Sequence, residues 1–414
     1  VRHSIDRACA IKEGRRVQSG RTVIVGAGLS GLRLAEKLTR LGHTGPITLI
    51  GAEPHPPYDR PPLSKTLLTR DDEPRPVFLG PIPEVELRTG VRATDLDTGR
   101  RRLTLDDGET LTFDRLVIAT GVRPRTIPGF AAAHVLRTWE DCLRLRAALA
   151  DARHVTVIGA GVLGCEIAAS ARARGIEVTL VELLDQPLAP VLGATVGEVI
   201  AALHRGNGVQ LRCGTRVSGL VDDGRGKRVV FADGGEVTTD LVVVAVGATP
   251  NTEWLAGSGV DVDGGVVCDR TGQTSVDGVF AVGDVARIPH PLADRPVRLE
   301  HWTSAVDTAA LVADNLCAAP DERRGLTEVP YFWSDQYKLK LQCLGLPAPG
   351  DELTIAAGSL ADTRFLGLYS RDGMLTGAVA VRMAAALTRC RPAIGRRAPL
   401  AELLREAPWT PAAR

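Results

Sequence analysis

At 414 residues and a formal net charge of +1, the chain is too long for one hydrophobic core and too evenly charged for a general nucleic-acid binder or a polybasic membrane anchor. Its longest apolar run, Leu241 to Ala248, has strand length and falls far short of a membrane span. The eight cysteines (Cys9, Cys142, Cys165, Cys213, Cys268, Cys317, Cys343, Cys390) form no close pair, which argues against a disulfide framework or a metal site and for buried thiols in a reducing, cytoplasmic setting.

In chain order, Val1 to Gly20 is polar and basic, has no apolar core resembling a signal peptide, and is set aside as a tail expected to be disordered. The first folded segment is the apolar strand Thr22-Val23-Ile24-Val25, running into Gly26-Ala27-Gly28-Leu29-Ser30-Gly31. A helical pattern follows, then a second strand, Ile47 to Gly51, closed by Glu53. The same arrangement recurs at Val155 to Ile158, with Gly159, Gly161 and Gly164, a helix, and Val178 to Val181 closed by Glu182. This is the dinucleotide-binding fingerprint: the first glycine makes the tight turn, the second lets backbone approach a pyrophosphate, and the third permits close packing of the helix. The helix N-terminus receives the phosphate charge. One such match is weak, but two in one chain point to electron transfer between two dinucleotides.

The repeat extends further. Phe113 to Pro124 parallels Thr239 to Pro250, each an apolar strand ending in Gly-x-x-Pro, at Gly121 and Gly247. Glycine there permits an unusual dihedral, and proline is expected to end the pairing. After the second unit, Gly278 to Ala286 reads as a strand running into Gly283-Asp284 at the start of a helix. The simplest geometry returns this strand to the first unit, so that the second unit is an insertion. From about Gly325 the texture changes to shorter alternating strands, with Asp372-Gly373 as a hairpin turn before Leu375 to Val381. The expected class is α/β: two Rossmann-like dinucleotide-binding domains, one inserted in the other, plus a C-terminal α+β domain. The expected boundaries are 21–135 with 258–325 for the first domain, 136–257 for the inserted one, and 326–414 for the third.

This order resembles the two-dinucleotide-binding-domain flavoproteins, and within them the NADH-dependent ferredoxin reductases of bacterial oxygenase systems, the putidaredoxin reductase type. The resemblance runs from about Arg21 to about Val381. It rests on Tyr58-Asp59-Arg60-Pro61-Pro62-Leu63-Ser64-Lys65, Gly283-Asp284, Glu300-His301-Trp302 and, most sharply, Phe332-Trp333-Ser334-Asp335-Gln336-Tyr337. The tail after about Arg382 departs from the expected pattern and receives no function.

The resemblance implies FAD in the first unit, at Gly26, Gly28 and Gly31, and NADH in the second, at Gly159, Gly161 and Gly164. Glu53 would bind the FAD adenosine ribose, and Glu182 that of NAD, where a carboxylate repels the 2′-phosphate of NADPH. Asp284 would hydrogen-bond the ribityl chain, a role compatible with capping a helix. Arg60 would contact FAD or else be a solvated surface arginine. Thr120, Gly121 and Gly247 are candidates to line the cofactors through their backbone. Lys65 would stand near flavin N5, where hydride from nicotinamide C4 arrives. Glu166 would pair with it beside the nicotinamide, unless it is simply an acid favoured by a helix N-terminus. Trp302 and Trp333 are candidates for the flavin edge, Trp333 near the docking face, with core packing as the rival reading. Lys338 and Lys340 would attract an acidic ferredoxin or stand as solvated charges.

Pro61 to Thr69, where disulfide reductases of this fold carry redox cysteines, contains none. Electrons would therefore leave flavin directly and singly for an external acceptor, a small iron–sulfur ferredoxin that supplies a monooxygenase or dioxygenase. Rubredoxin, a small quinone or ascorbyl radical as acceptor, and a redox-sensing module resembling apoptosis-inducing factor, are the alternatives.

Overall fold

The computed structural model describes residues 19–410 except 71, 223 and 225. Most of the N-terminal tail, with Cys9, lies outside the described residues.

The first unit opens with β1 (Thr22–Val25), α1 (Leu29–Arg40) and β2 (Ile47–Gly51). A 3-10 turn at Pro61–Ser64 and the short α2 (Thr66–Thr69) precede β3 (Glu86–Thr89). An antiparallel meander follows, β4 (Ala93–Asp97), β5 (Arg102–Leu105) and β6 (Thr110–Thr112), and then β7 (Arg115–Ile118) and β8 (Val122–Pro124). β1 and β2 are mostly apolar, with Thr22 and Thr48 the polar members, because they are buried along their whole length inside a parallel sheet.

The second unit begins at α3 (Trp139–Asp151), whose entry is set by a capping box between Thr138 and Asp141. It continues through β9 (His154–Ile158), α4 (Val162–Ala173), β10 (Glu177–Val181), α5 (Ala189–Gly206, broken at Gly193, φ 72°) and β11 (Val209–Arg212). A second meander, β12 (Val217–Asp222), β13 (Lys227–Phe231) and β14 (Glu236–Thr239), leads to β15 (Leu241–Val244) and β16 (Ala248–Pro250). Its parallel sheet has the order β11-β10-β9-β15, with Val157 opposite Leu180 on one side and Val243 on the other.

The chain then returns through β17 (Val266–Val267) and β18 (Val279–Ala281), and β18 joins β7 in parallel register, Phe280 opposite Val117. The first sheet is therefore β18-β7-β1-β2-β3, interrupted in sequence by the whole second unit. The helix expected at Gly283 is only a short one, a 3-10 turn (Gly283–Val285) that gives way to β19 (Ala286–Arg287). The next helix, α6 (Trp302–Cys317), waits until the loop bearing Pro289, Pro291 and Pro296 has passed, because proline cannot supply the amide a helix interior needs.

In the Gly-x-x-Pro segments each strand ends at its proline, and the two segments form an additional pair. β8 and β16 pair with each other, Ala248 opposite Pro124 and Pro250 opposite Val122. A two-stranded ribbon is all edge, so each proline can sit where no amide is required. The two equivalent segments thereby form the crossing between the nucleotide-binding units.

The third unit is an antiparallel sheet of β20 (Tyr331–Gln336), β21 (Leu339–Gly345), β22 (Glu352–Ser359), β23 (Arg364–Arg371) and β24 (Met374–Val381), in the order β20-β21-β24-β23-β22. Asp372 and Gly373, at φ 50° and 74°, make the tight turn read from the sequence. The chain past Arg382 is part of this unit: α7 (Ala384–Gly395) and α8 (Leu400–Glu406) bury Leu387, Cys390, Ile394 and Leu403 in its core. One apolar cluster joins all three units, including Leu63 and Leu68, Ile167 and Ala168, and Phe332 and Phe365. Among the described residues no helix is long and apolar enough to cross a membrane, and no group of three or more potential ligands is placed to hold a metal ion.

Candidate active site

The two glycine loops divide their work by position. Gly26 and Gly159 take φ of 123° and 102°, and a Cβ on either would strike the backbone of Ala119 or Ala245. A Cβ at Gly31 would lie 2.0 Å from Gly26 O, and at Gly164 1.8 Å from Gly159 O. These third glycines therefore press the helix onto the turn itself. Gly28 and Gly161 are the opposite case, since a Cβ there meets nothing within 4 Å. Each sits at the N-terminus of a helix with no side-chain cap, leaving amides directed into open space. Uncapped amides at a helix N-terminus suit an anionic group.

In the first unit, side chains from distant segments converge beside the loop. Arg60 Nη2 donates to Glu53 Oε1 at 2.6 Å, and Arg60 Nη1 donates to the Arg137 carbonyl at 2.6 Å. Tyr58 donates its hydroxyl hydrogen to Glu53 Oε2 and accepts from the Trp139 amide at 2.8 Å. Burial, helped by Glu53, pushes the Tyr58 phenol above its usual range against the opposing pull of Arg60. Burial works against the Arg60 charge, but Tyr58, Glu53 and Asp284 outweigh it and raise its pKa. Arg60, 28% exposed, is thus a partly buried member of a network and not a free surface arginine. Arg137 Nη2 donates to Asp284 Oδ2 at 2.8 Å, so Asp284 faces this cleft instead of capping a helix. Gly283 makes that possible, since at φ 71° a Cβ would collide with Ser30 of α1.

His301, at the N-terminus of α6, has a buried Nδ1 with no partner, and its pKa is pushed down to about 4 by burial against the raising effect of Asp284. Thr120 and Gly121 form the rim where the units cross: Asn251 donates to the Thr120 carbonyl at 2.9 Å and to the Gly121 carbonyl at 3.0 Å. Gly121 also borders Arg137. Gly247, at φ 98°, holds the equivalent place in the second unit and accepts from the Arg125 amide at 2.9 Å.

In the second unit Glu182 Oε2 accepts from the Ala160 amide at 2.6 Å, and its Oε1 from the Leu184 amide at 3.0 Å. The acid closes onto its own glycine loop, at the mouth of the open space left by Gly161. Cys165 is fully buried behind that loop and burial pushes its thiol far up, so it carries no nucleophile.

Lys65 and Glu166 meet between the units. Lys65 lies where the 3-10 turn breaks from α2, at φ −122° and ψ −105°, and its side chain is 18% exposed. It is therefore not a surface lysine on a continuous helix. Its Nζ is 2.7 Å from Glu166 Oε2, which also accepts from Ser64 Oγ at 2.6 Å. Glu166 is 3% exposed, and Ser334 Oγ of the third unit reaches its Oε1 at 2.9 Å. A buried carboxylate is tolerated only when paired and hydrogen-bonded, and here both oxygens are supplied.

Trp302 and Trp333 meet edge-on with ring centroids 6.4 Å apart, and Tyr331 stacks on Trp333 at 6.0 Å. Trp302 is oriented by donating to Asp59 Oδ1 at 2.8 Å. All three rings are partly exposed, and Tyr331 also packs against the core of the third unit. Lys338 and Lys340 are exposed close by, and Lys340 stands 3.5 Å from Asp335.

Arg137, Ser334, Gln336 and His204 belong to this region, but the sequence carries no signal that assigns them. Arg137 only precedes a capping box, and its partner Asp284 is 147 residues away. Ser334 and Gln336 sit within a recognisable motif whose target, Glu166, is 168 residues from Ser334.

The chain belongs to the pyridine nucleotide-disulphide oxidoreductase family, which matches residues 20–309. Residues 331–406 match the reductase C-terminal family, which carries the relationship well past Val381. The ferredoxin–NAD(+) reductase component of an anthranilate 1,2-dioxygenase system from Burkholderia cepacia is 38% identical over 372 residues, 87% of this chain and 90% of the relative. Rhodocoxin reductase of Rhodococcus erythropolis is 37% identical, covering 84% and 85% of the two chains. The crystal structure of a covalent putidaredoxin reductase–putidaredoxin complex superposes with a TM-score of 0.87 at 33% identity, covering 94% of this chain and 96% of that one.

Proposed function

We propose that this protein is an FAD-dependent NADH:ferredoxin oxidoreductase that feeds a monooxygenase or dioxygenase through a small iron–sulfur ferredoxin. The observation that carries the proposal is the Lys65–Glu166 pair, held 2.7 Å apart between the two units that each bear an open glycine loop, with no cysteine between Pro61 and Thr69. The name of the Burkholderia cepacia relative, a ferredoxin–NAD(+) reductase component of a dioxygenase system, supports the same reading.

The chemistry supplied by bound FAD is conversion of a two-electron donor into one-electron donors. Gly26, Gly28 and Gly31 would receive its pyrophosphate, Glu53 its ribose, and Asp284 its ribityl chain. Arg60, Arg137 and the rim at Thr120 and Gly121 would order that cleft. Gly159, Gly161, Gly164 and Gly247 would shape the NADH site, with Glu182 on its ribose hydroxyls. Lys65 holds a positive charge in a poorly solvated place where negative charge accumulates during NADH oxidation, and Glu166 fixes that charge in position. Trp302 and Trp333 screen the cleft from water and form the exit toward a docked ferredoxin, whose acidic surface Lys338 would attract. The compartment proposed is the cytoplasm, in keeping with free thiols at Cys142, Cys165, Cys213, Cys268, Cys317, Cys343 and Cys390.

The test is stoichiometric. FAD-loaded protein, limiting NADH and an oxygenase-system ferredoxin are mixed without oxygen, and the iron–sulfur absorbance is followed. Two ferredoxins reduced per NADH is the expected result. A ferredoxin left oxidised while rubredoxin or a small quinone is reduced would move the assignment to that acceptor.

A further inference from the structure

Strand β20 has two faces with different destinations. Phe332, Ser334 and Gln336 are buried, while Tyr331, Trp333 and Asp335 are partly exposed, the alternation a strand imposes. The outward face carries the indole. On the inward face, Ser334 Oγ meets Glu166 Oε1 at 2.9 Å and Gln336 Nε2 lies 3.1 Å from Ser334 Oγ. His204 Nε2 of α5 is 3.1 Å from Gln336 Oε1, and the Tyr337 hydroxyl is 2.9 Å from His204 Nδ1. Ser334, Gln336 and His204 are 0% exposed.

The direction of this row follows from its first member. An ionised carboxylate can only accept, so Ser334 must donate to Glu166. Its oxygen then accepts from the Gln336 amide nitrogen, which leaves the Gln336 oxygen for His204. Nε2 of His204 must therefore carry the hydrogen, Nδ1 is bare, and Tyr337 donates to it. Neutral His204 suits this arrangement, since burial lowers its pKa to about 4. Tyr337 occupies the left-handed region at φ 56°, an unfavourable place for an aromatic residue, at the two-residue turn between β20 and β21. Its bond to His204 helps to hold it there.

We propose that Ser334, Gln336 and His204 are positioning residues for NADH oxidation, a one-way row of hydrogen bonds that locks the Glu166 carboxylate and through it the Lys65 ammonium. Oε1 is held from the third unit and Oε2 from the first, by Ser64 and Lys65. Held from both sides, the carboxylate keeps its plane and position, and the ammonium, which also reaches the Pro61 carbonyl at 3.3 Å, keeps its place beside it. The proposal rests on reading Lys65 and Glu166 as the pair that serves NADH oxidation.

The test uses the FAD-loaded protein and the variants Ser334→Ala, His204→Leu, His204→Gln and Lys65→Ala, with flavin reduction by NADH followed by anaerobic stopped flow. Ser334→Ala and His204→Leu should lower the limiting rate about tenfold, with little change in the apparent Kd for NADH. His204→Gln, whose amide can replace the Nε2 donor, should recover most of that loss. The Ser334 and His204 variants, reduced by dithionite, should still pass electrons to ferredoxin at the wild-type rate, which a general loss of structure would not allow. Adding Ser334→Ala to Lys65→Ala should cost nothing further, because the row acts through that lysine. Wild-type limiting rates in Ser334→Ala and His204→Leu, or equal losses in both half-reactions, would overturn the proposal. If Lys65→Ala is slow while those two are not, only the positioning row fails. If Lys65→Ala itself reduces at the wild-type rate, the reading of the Lys65–Glu166 pair fails and the row with it.

Discussion

The two nucleotide-binding units share the same glycine-loop pattern, positive φ at the first glycine and helix pressed onto turn at the third, yet they surround it differently. Beside the first loop stand Glu53, Arg60, Arg137 and Asp284, drawn from four segments and linked by ion pairs at 2.6 and 2.8 Å. Beside the second stands Glu182, which bonds to the amides of its own neighbourhood. A cleft assembled from many chain segments holds its occupant from several sides, whereas one closed by a single strand end can release it. The difference matches what the proposed reaction needs: one dinucleotide retained through every turnover, the other exchanged.

The contrast breaks most readily at Asp284. Asp284→Ala leaves Arg137 without its partner and should reduce FAD recovered after gel filtration to about a tenth or less, read from visible absorbance against protein. Full flavin retention in that variant would contradict the assignment of the cleft. Next come twin substitutions at Gly28 and Gly161, where an added Cβ meets nothing and should barely disturb folding. Gly28→Ala should weaken FAD binding about tenfold, and Gly161→Ala should raise KM for NADH about tenfold, with thermal midpoints close to wild type in both. An exchange of these two phenotypes would reverse the cofactor assignment. Glu182→Ala should keep its flavin but narrow the preference for NADH over NADPH by a smaller factor, of order tenfold in kcat/KM.

The smallest expected effect concerns pH. His204 is held neutral, its folded pKa of about 4 lying below the ordinary 6.5. The unfolded chain therefore binds more protons between those values, and stability falls as pH drops from about 6.5 toward 4. The slope per group is at most about 1.4 kcal/mol per pH unit. Asp307 acts in the opposite sense, because burial, with Glu328, raises its carboxyl to about 6, so its contribution falls as pH rises from its ordinary value of 3.8 through 6. Comparing wild type with His204→Gln isolates the histidine: the variant should lose less stability on acidification, measured by thermal unfolding at a series of pH values. An identical pH dependence would show that His204 titrates normally.

What could be read in the sequence was what local geometry dictates. Gly26 and Gly159 announce themselves because only glycine takes those positive φ values at a strand end, and Asp372-Gly373 because a two-residue turn demands it. The return of Val279–Ala281 to the first sheet was legible from the repeat. What stayed hidden depends on distant partners. The alternation of β20 is visible in Phe332 to Tyr337, but nothing in it reveals that Ser334 reaches Glu166 or that Gln336 reaches His204. Gly283-Asp284 reads as a helix start because the prolines beyond it deny a helix only some residues later. The chain beyond Arg382 looked unrelated, yet its buried Leu387 and Ile394 finish a core whose strands had already been recognised.

The central claim is that electrons enter from NADH at Lys65 and Glu166 and leave singly for an iron–sulfur protein. The most direct measurement is anaerobic double-mixing stopped flow, with NADH added first and an oxygenase-system ferredoxin second. Fast bleaching of the flavin, followed by its fast recovery as the iron–sulfur centre is reduced, is the result the claim requires. Bleaching that ferredoxin does not reverse would contradict it.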